Sequence, residues 1–173
     1  MNPELELIHR IAAGEEAALK RLYDLYFPRL SRFLLRVTRD PDHIVEIVND
    51  VFFVIWRNAR GFRENSSVST WVLGIAYKRG LKHMSRHGNA SADVDINNVA
   101  QDAEETFHDE RNAQQLFALL SADQRAVMEL TYFFGYSYKE ISEIIECPEN
   151  TVKTRMFHAR KKLRALVEKH THV

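Results

Sequence analysis

An all-α protein, two small helical domains joined by a flexible acidic linker, is what this sequence predicts, and three observations carry that expectation. Glycine and proline are scarce, six and four among 173 residues, so little stands in the way of long helices. Apolar residues recur at three- and four-residue spacing along most of the chain, which is helical and not strand periodicity. The pattern collapses once, in GNASADVDINNVAQDAEET, where the residues are polar, acidic and nearly aperiodic. Such a stretch reads as a flexible linker. The expected division is a first domain over 1–88, a linker over 89–111 and a second domain over 112–173.

A short amphipathic helix opens at Pro3, with Leu5, Ile8 and Ile11 or Ala12 in register, and Gly14 interrupts it. The second runs from about Glu15 to Arg36 and buries Leu19, Leu22, Tyr23, Tyr26, Leu30, Phe33 and Leu34, with Pro28 as a potential kink. Asp40-Pro41 starts the third, which carries Ile44, Ile47, Val48, Val51, Phe52, Ile55 and Trp56 inward and stops near Gly61. Phe62 to Ser69 is polar and turn-like. The fourth helix spans about Ser67 to Arg86, with Trp71, Val72, Ile75, Leu81 and Met84 inward. Beyond the linker come a short helix near Asn112–Leu120 and three more, at about 121–134, 138–146 and 149–168. Ser121-x-x-Gln124 and Ser137-x-x-Glu140 fit the capping box, in which side chains satisfy orphan backbone donors at a helix start.

Composition bounds the function classes. Apolar residues make up 45%, and ten Phe, six Tyr and two Trp suffice for real cores. Cys147 stands alone, so no internal disulfide is possible. No apolar run reaches the roughly 20 residues of a membrane span, and MNPELELIHR is too acidic and polar for a signal peptide. The expectation is a soluble cytoplasmic protein without membrane insertion. Formal net charge is zero, which taken alone argues against nucleic-acid binding. The distribution reverses that. Residues 1–89 carry 14 Lys and Arg against 10 acids, 90–112 carry seven acids and only Arg111, and 150–173 carry seven basic residues against Glu168. Two basic modules flank an acidic connector.

The strongest motif is GYSYKEISEIIECPENTVKTRMFHARKKLRAL. Ser137 caps a short helix whose Ile141, Ile144 and Ile145 face inward; Glu146-Cys147-Pro148 breaks it; a longer helix then starts at Glu149–Thr151. That is the helix-turn-helix plan, whose second helix enters the major groove. On it Val152, Met156, Ala159, Leu163 and Leu166 recur at core spacing, leaving Lys153, Thr154, Phe157, His158 and Lys161 on the open face. Thr151, Lys153, Thr154 and Arg155 lie near enough its start to reach base edges or phosphates, and Arg160, Lys161, Lys162 and Arg164 suit phosphates. A surface helix with a solvated basic face would explain the charge run, but not the capped first helix or the Cys-Pro turn.

This segment, from Leu120 onward, resembles region 4 of extracytoplasmic-function (ECF) σ factors of the bacterial σ70 family. The resemblance implies −35 promoter recognition, with Lys153, Thr154, Phe157 and His158 at the matching positions. A LuxR-type regulator ends similarly, so a stand-alone helix-turn-helix regulator is the alternative. The first half discriminates. FRENSSVSTWVLGIAYKRGLKHMSR resembles regions 2.3 and 2.4, which implies a flipped −10 base held by the loop Phe62–Val68 and contacts from Phe62, Arg63, Asn65, Ser66, Ser67, Lys78, Arg79, Lys82 and Arg86. Alternating rings and cations suit single strands independently of the name, and Tyr77 belongs to that mixture. DPDHIVEIVNDVFFVIWRNARGF resembles region 2.2, which implies docking on the β′ clamp helices of RNA polymerase; Glu46, Asn49 and Asp50 share one helix face. The implied partners are core RNA polymerase (β′ clamp helices and β flap), promoter DNA, and an anti-σ factor or other regulator.

The departures from the family are specific. Ile44-Val45-Glu46 stands where an Ala-Glu-Asp-like run is usual, Asn49 where Gln is usual, Lys78 in place of Asn and Lys82 in place of Asp. The first two weaken polymerase docking unless Val45 lies against the core or a regulator. No catalytic constellation, glycine loop or nucleophile elbow is present, so no enzyme and no cofactor is expected. The eight His form no ligand motif: His83 and His87 sit four apart on a basic helix, His170 and His172 near the end. No metal is expected, and Cys147 reads as a small apolar filler.

Overall fold

Asn2 starts the first helix: its Oδ1 accepts the Glu4 N–H at 3.0 Å, one of the donors a helix start leaves open. The computed structural model describes residues 2–88 and 116–171, with side chains as far as residue 168. All regular structure among the described residues is helical. Helix α1 (Pro3–Ala12) buries Ile8 and Ile11, and Gly14 at φ +92° lets the chain reverse. Helix α2 (Glu16–Thr38) continues through Pro28 and past Arg36. Val37 and Thr38 remain buried, and Arg39 ends the helix in the left-handed region, φ 57°.

A 3-10 turn (Pro41–His43) leads into α3 (Ile44–Asn58), and a second (Ala59–Gly61) ends it. The apolar stripe of α3 is buried as its periodicity requires, Ile44 through Ile55, with Trp56 half-buried. In α4 (Val68–Arg86) Ser67 is the N-cap, accepting the Thr70 N–H at 3.1 Å. Helices α2, α3 and α4 pack pairwise into a bundle, and α1 lies along α2. Arg60 ties the second 3-10 turn to α1 by donating to the Ala12 carbonyl at 2.9 Å.

Of the short helix expected over 112–120, residues 116–118 are helical and 112–115 lie outside the described residues, as does the linker 89–111. Helices α5 (Ala122–Tyr132), α6 (Tyr138–Ile144) and α7 (Glu149–Thr171) follow. Both capping boxes form, at Ser121–Gln124 and Ser137–Glu140. Helix α6 ends before Pro148 acts. Glu146 is left-handed at φ 50°, and the Cys147 N–H reaches back to the Ser142 carbonyl at 3.1 Å, the pattern of a Schellman stop.

Replacing Ser137 with Ala removes the acceptor for the Glu140 N–H and the hydroxyl that meets Glu140 Oε2 at 2.8 Å. The expected cost is about 1 kcal/mol, readable as a lower midpoint in chemical denaturation. An unchanged midpoint means the box contributes nothing.

The two halves share one continuous core. Helix α5 lies on α2, and α6 lies on α4. Gly74 permits the second contact, since a Cβ there would sit 3.3 Å from the Ile144 carbonyl oxygen. Phe33 meets Phe134 edge-on at 6.0 Å, and Arg29 donates to the Tyr136 hydroxyl at 2.7 Å. The buried Arg125 guanidinium donates to the Val37 carbonyl at 2.7 Å and to that of Leu120. Burial lowers its pKa to about 10, so it remains a cation, and it satisfies the Val37 carbonyl left open at the end of α2.

Candidate nucleic-acid and partner interfaces

Helix α3 turns Val45, Glu46, Asn49, Asp50 and Phe53 outward. Glu46, Asn49 and Asp50 are therefore brought together on one exposed face, as their spacing requires. Asn49 Oδ1 accepts the Tyr23 hydroxyl at 3.2 Å, which fixes its amide. Val45 is 55% exposed, so the apolar departure in the Ile44-Val45-Glu46 run faces solvent and only Ile44 joins the core. Sequence reasoning missed Phe53. It is 60% exposed and has the Arg57 guanidinium 5.6 Å from its ring centre. An apolar residue just outside the buried stripe was the available signal.

Between α3 and α4 lies an open cleft of about 380 Å³ lined by Val54, Asn58, Trp71, Ile75, Lys78, Arg79 and Lys82. Trp71 and Ile75 are half-buried cleft walls instead of full core residues. The Phe62 ring packs on Trp71 at 4.9 Å, which anchors the start of the loop whose Arg63 and Asn65 are exposed and whose Ser66 is half-buried. An aromatic wall with three cations along one edge suits an unstacked base and its phosphates. Arg86 lies further along α4 and is exposed.

Three residues of this segment are engaged within the chain. Ser67 is committed to the α4 cap. Tyr77 is buried, its hydroxyl donating to Asp123, and burial with that bond raises its pKa. Lys78 is paired with Glu146 of the helix-turn-helix, Nζ to Oε1 2.5 Å. In the last two cases the other half of the chain supplies the partner, which periodicity within α4 cannot reveal.

On α7, Val152, Met156, Ala159 and Leu166 are buried and Leu163 is half-buried. Lys153, Thr154, Phe157, His158 and Lys161 are exposed together on the open face, Phe157 to 62%. Phe157 and His158 meet edge-on at 5.4 Å. Thr151 is half-buried at the helix start. Arg155 is drawn away by Asp123, Nη2 to Oδ2 2.9 Å, so one carboxylate joins α4, α5 and α7. Arg160 donates to the Tyr132 hydroxyl at 2.9 Å while staying exposed. Cys147 is half-buried, and burial pushes its thiol pKa up, which disfavours the reactive thiolate.

One constellation has no counterpart in the sequence motifs. Asp40 Oδ2 receives His43 Nδ1 at 2.9 Å and His83 Nε2 at 2.8 Å. His87 stacks on His83 with ring centres 4.1 Å apart. The two histidine bonds hold the Asp40 carboxyl down at about 2, and the bond to Asp40 raises His43. No His ligand motif is visible along the sequence, and it is the packing of α4 beside the turn before α3 that brings these histidines to Asp40.

Comparison with known proteins places both halves. Residues 22–90 match the family described as Sigma-70 region 2, and residues 110–163 match Sigma-70, region 4. The ECF RNA polymerase sigma factor SigK of Mycobacterium tuberculosis (strain ATCC 25618 / H37Rv) is 28% identical over 169 residues, covering 91% of this chain and 90% of the relative. The solved structure of the sigma factor RpoE in complex with the anti-sigma factor NepR from Bartonella quintana is similar at TM-score 0.67 and 25% identity, over 86% of this chain and 96% of that one. CnrH, solved in complex with the cytosolic domain of CnrY, shares the fold at TM-score 0.70 and 18% identity, over 96% and 97%. With both region models in order along one chain, this protein is an RNA polymerase σ factor of the ECF type in the σ70 family.

Proposed function

We propose that this σ factor docks on the β′ clamp helices through Glu46, Asn49 and Asp50, and reads promoter DNA at two places. Phe62, Arg63, Asn65 and Ser66, with Arg79, Lys82 and Arg86 and with Lys78 once it is released, engage the opened −10 strand at the Trp71 cleft. Lys153, Thr154, Phe157, His158 and Lys161 read the −35 major groove, with Thr151 beside them, while the β flap receives the same domain. Promoter selection is its task, and the chemistry of polymerisation stays with the core enzyme. It acts in the cytoplasm. The carrying observation is the pair of opposite surfaces on one chain: an acidic and amide face on α3, and a cationic face on α7 with its apolar side buried.

The two DNA surfaces must separate to work. Promoter elements centred near −10 and −35 lie about 25 base pairs apart, on the order of 85 Å at about 3.4 Å per pair. Lys78 and Glu146 are in contact, so the arrangement described is a closed form that opens on polymerase. The exposed Val45 and Phe53 beside the docking carboxylates give an anti-σ factor an apolar foothold on the same face; RpoE was solved with such a partner, the anti-sigma factor NepR.

The test is transcription from a genomic fragment library by core polymerase supplemented with the purified chain, followed by mapping of the starts. Discrete starts sharing two spaced elements are expected. Their absence, with active core and no inhibitor, rejects the reading. Lys153→Glu is expected to weaken −35 binding at least tenfold and flatten its salt dependence, since a phosphate or base contact becomes a repulsion. Core binding by the variant should match the wild type. Undiminished −35 affinity removes Lys153 from the interface.

A further inference from the structure

Asp40, His43 and His83 take no part in the promoter reading, yet among the described residues their side chains are placed to hold a metal ion together, with His87 stacked beside them. One ligand atom each from Asp40, His43 and His83 lies within 4.8 Å of the others. They come from two elements. Asp40 precedes the 3-10 turn before α3 and His43 is its last residue, and His83 lies in the last turn of α4. The side chains of His83 and Asp40 are 7% and 12% exposed and that of His43 is 39% exposed, so the group is sheltered on two sides and open on one.

We propose that Asp40, His43 and His83 bind one divalent transition-metal ion, of which Zn²⁺ is the best match, and that the ion clamps the start of α3 to the end of α4. A carboxylate and two imidazoles are the donor set that suits zinc. Metal–ligand bonds of about 2.0–2.1 Å put tetrahedral donors about 3.3 Å apart. The present separations from Asp40 Oδ2 to His43 Nδ1 and His83 Nε2 are 2.9 and 2.8 Å. Each imidazole donor thus needs to draw back from Asp40 Oδ2 by about half an ångström to admit the ion, and His43, the more exposed of the two, has the more room to move. The fourth position faces solvent and takes water. His87 acts on orientation: its Nδ1 sits 3.0 Å from the His83 carbonyl oxygen and its ring stacks on His83, holding that imidazole toward Asp40.

The surrounding charge is mixed, not prohibitive. Arg79, Lys82 and Arg86 line the adjoining groove, and Glu46 and Asp50 face them from α3. The ion would sit beside the outward face of α3, at the last turn of α4. It would hold the last turn of α4 against the turn that sets the position of α3.

The experiment uses the full chain stripped with a chelator, titrated with Co²⁺ by visible absorption and with Zn²⁺ by calorimetry and competition. One equivalent is expected, with the intense bands of low-coordinate Co²⁺, and saturating Zn²⁺ should raise the thermal midpoint by about 5 °C. His43→Ala changes the most exposed ligand and so threatens the fold least. It should weaken binding at least tenfold and abolish the midpoint shift, with its circular dichroism unchanged. Asp40→Asn should do the same if it folds, and the His170→Ala/His172→Ala double variant should bind like the wild type. Absence of saturable binding overturns the proposal. So does wild-type affinity in His43→Ala, or binding that disappears with the two tail histidines.

Discussion

Asp50→Arg is expected to reduce the affinity for core RNA polymerase by about 30-fold or more while leaving −35 DNA binding by the same protein unchanged. Asp50 is exposed on α3 between Glu46 and Phe53, at the centre of the one face of the first domain that joins carboxylates, an amide and an apolar anchor. Losing one partner of a hydrogen-bonded charge pair at an interface costs about 2–5 kcal/mol, and reversing the sign adds repulsion from the partner's cations. No salt bridge within the chain holds Asp50 among the described residues, so the fold should not suffer. Binding of labelled core to the variant, beside gel-shift binding to a −35 duplex, checks both halves. Equal loss of the two activities points to misfolding and sinks the docking role; undiminished core binding sinks it directly.

Glu129→Leu is expected to make the free protein more stable and less active. Glu129 lies fully buried in α5, both carboxylate oxygens lack a hydrogen-bond partner, and the charges nearest it are Arg32 and Arg36 of α2. Burial raises its pKa, and the two arginines only partly oppose that. A buried polar group left without a hydrogen bond costs about 1–3 kcal/mol, a cost relieved when α5 leaves α2. Leucine should therefore raise the thermal midpoint by about 2–4 °C per kcal/mol regained. It should also lower transcription, because the closed form holds Lys78 against Glu146. A lower midpoint, or transcription above wild type, rejects the idea.

The same residue sets a pH dependence. The closed form binds the Glu129 proton more tightly than the open form, in which the carboxyl has its ordinary pKa. Protonation therefore favours closure at low pH, and that contribution is lost as pH rises from the ordinary glutamate value through the raised one. Above this window ionisation opposes closure. Domain separation, followed by fluorescence transfer between labels on the two halves, should increase across it in wild type and stay flat there in Glu129→Leu.

Most of the fold was legible because its determinants are local. The α3 stripe from Ile44 to Ile55, the Ser121 and Ser137 boxes and the buried Val152, Met156 and Ala159 each follow from residues three or four apart. The open face of α7 was legible for the same reason: fixing its buried side fixes the other. Element ends were less legible. Tertiary burial of Val37 and Thr38 carries α2 past Arg36, and a left-handed Glu146 stops α6 ahead of Pro148. Trp71 read as core, yet it walls a cleft, because its surroundings depend on Val54 and Asn58 of another helix.

By itself, then, the sequence determined an all-helical chain with a helix-turn-helix, since amphipathic period and caps are written within single elements, and its ordered motifs carried the resemblance to ECF σ factors. Tertiary structure decided which of those residues are free. It tied Tyr77 and Arg155 to Asp123 and Lys78 to Glu146, buried Glu129 against α2, and set His83 beside Asp40 across more than forty residues of chain. Such pairings rest on how helices pack, and no periodicity along one helix encodes which neighbour its side chains will meet.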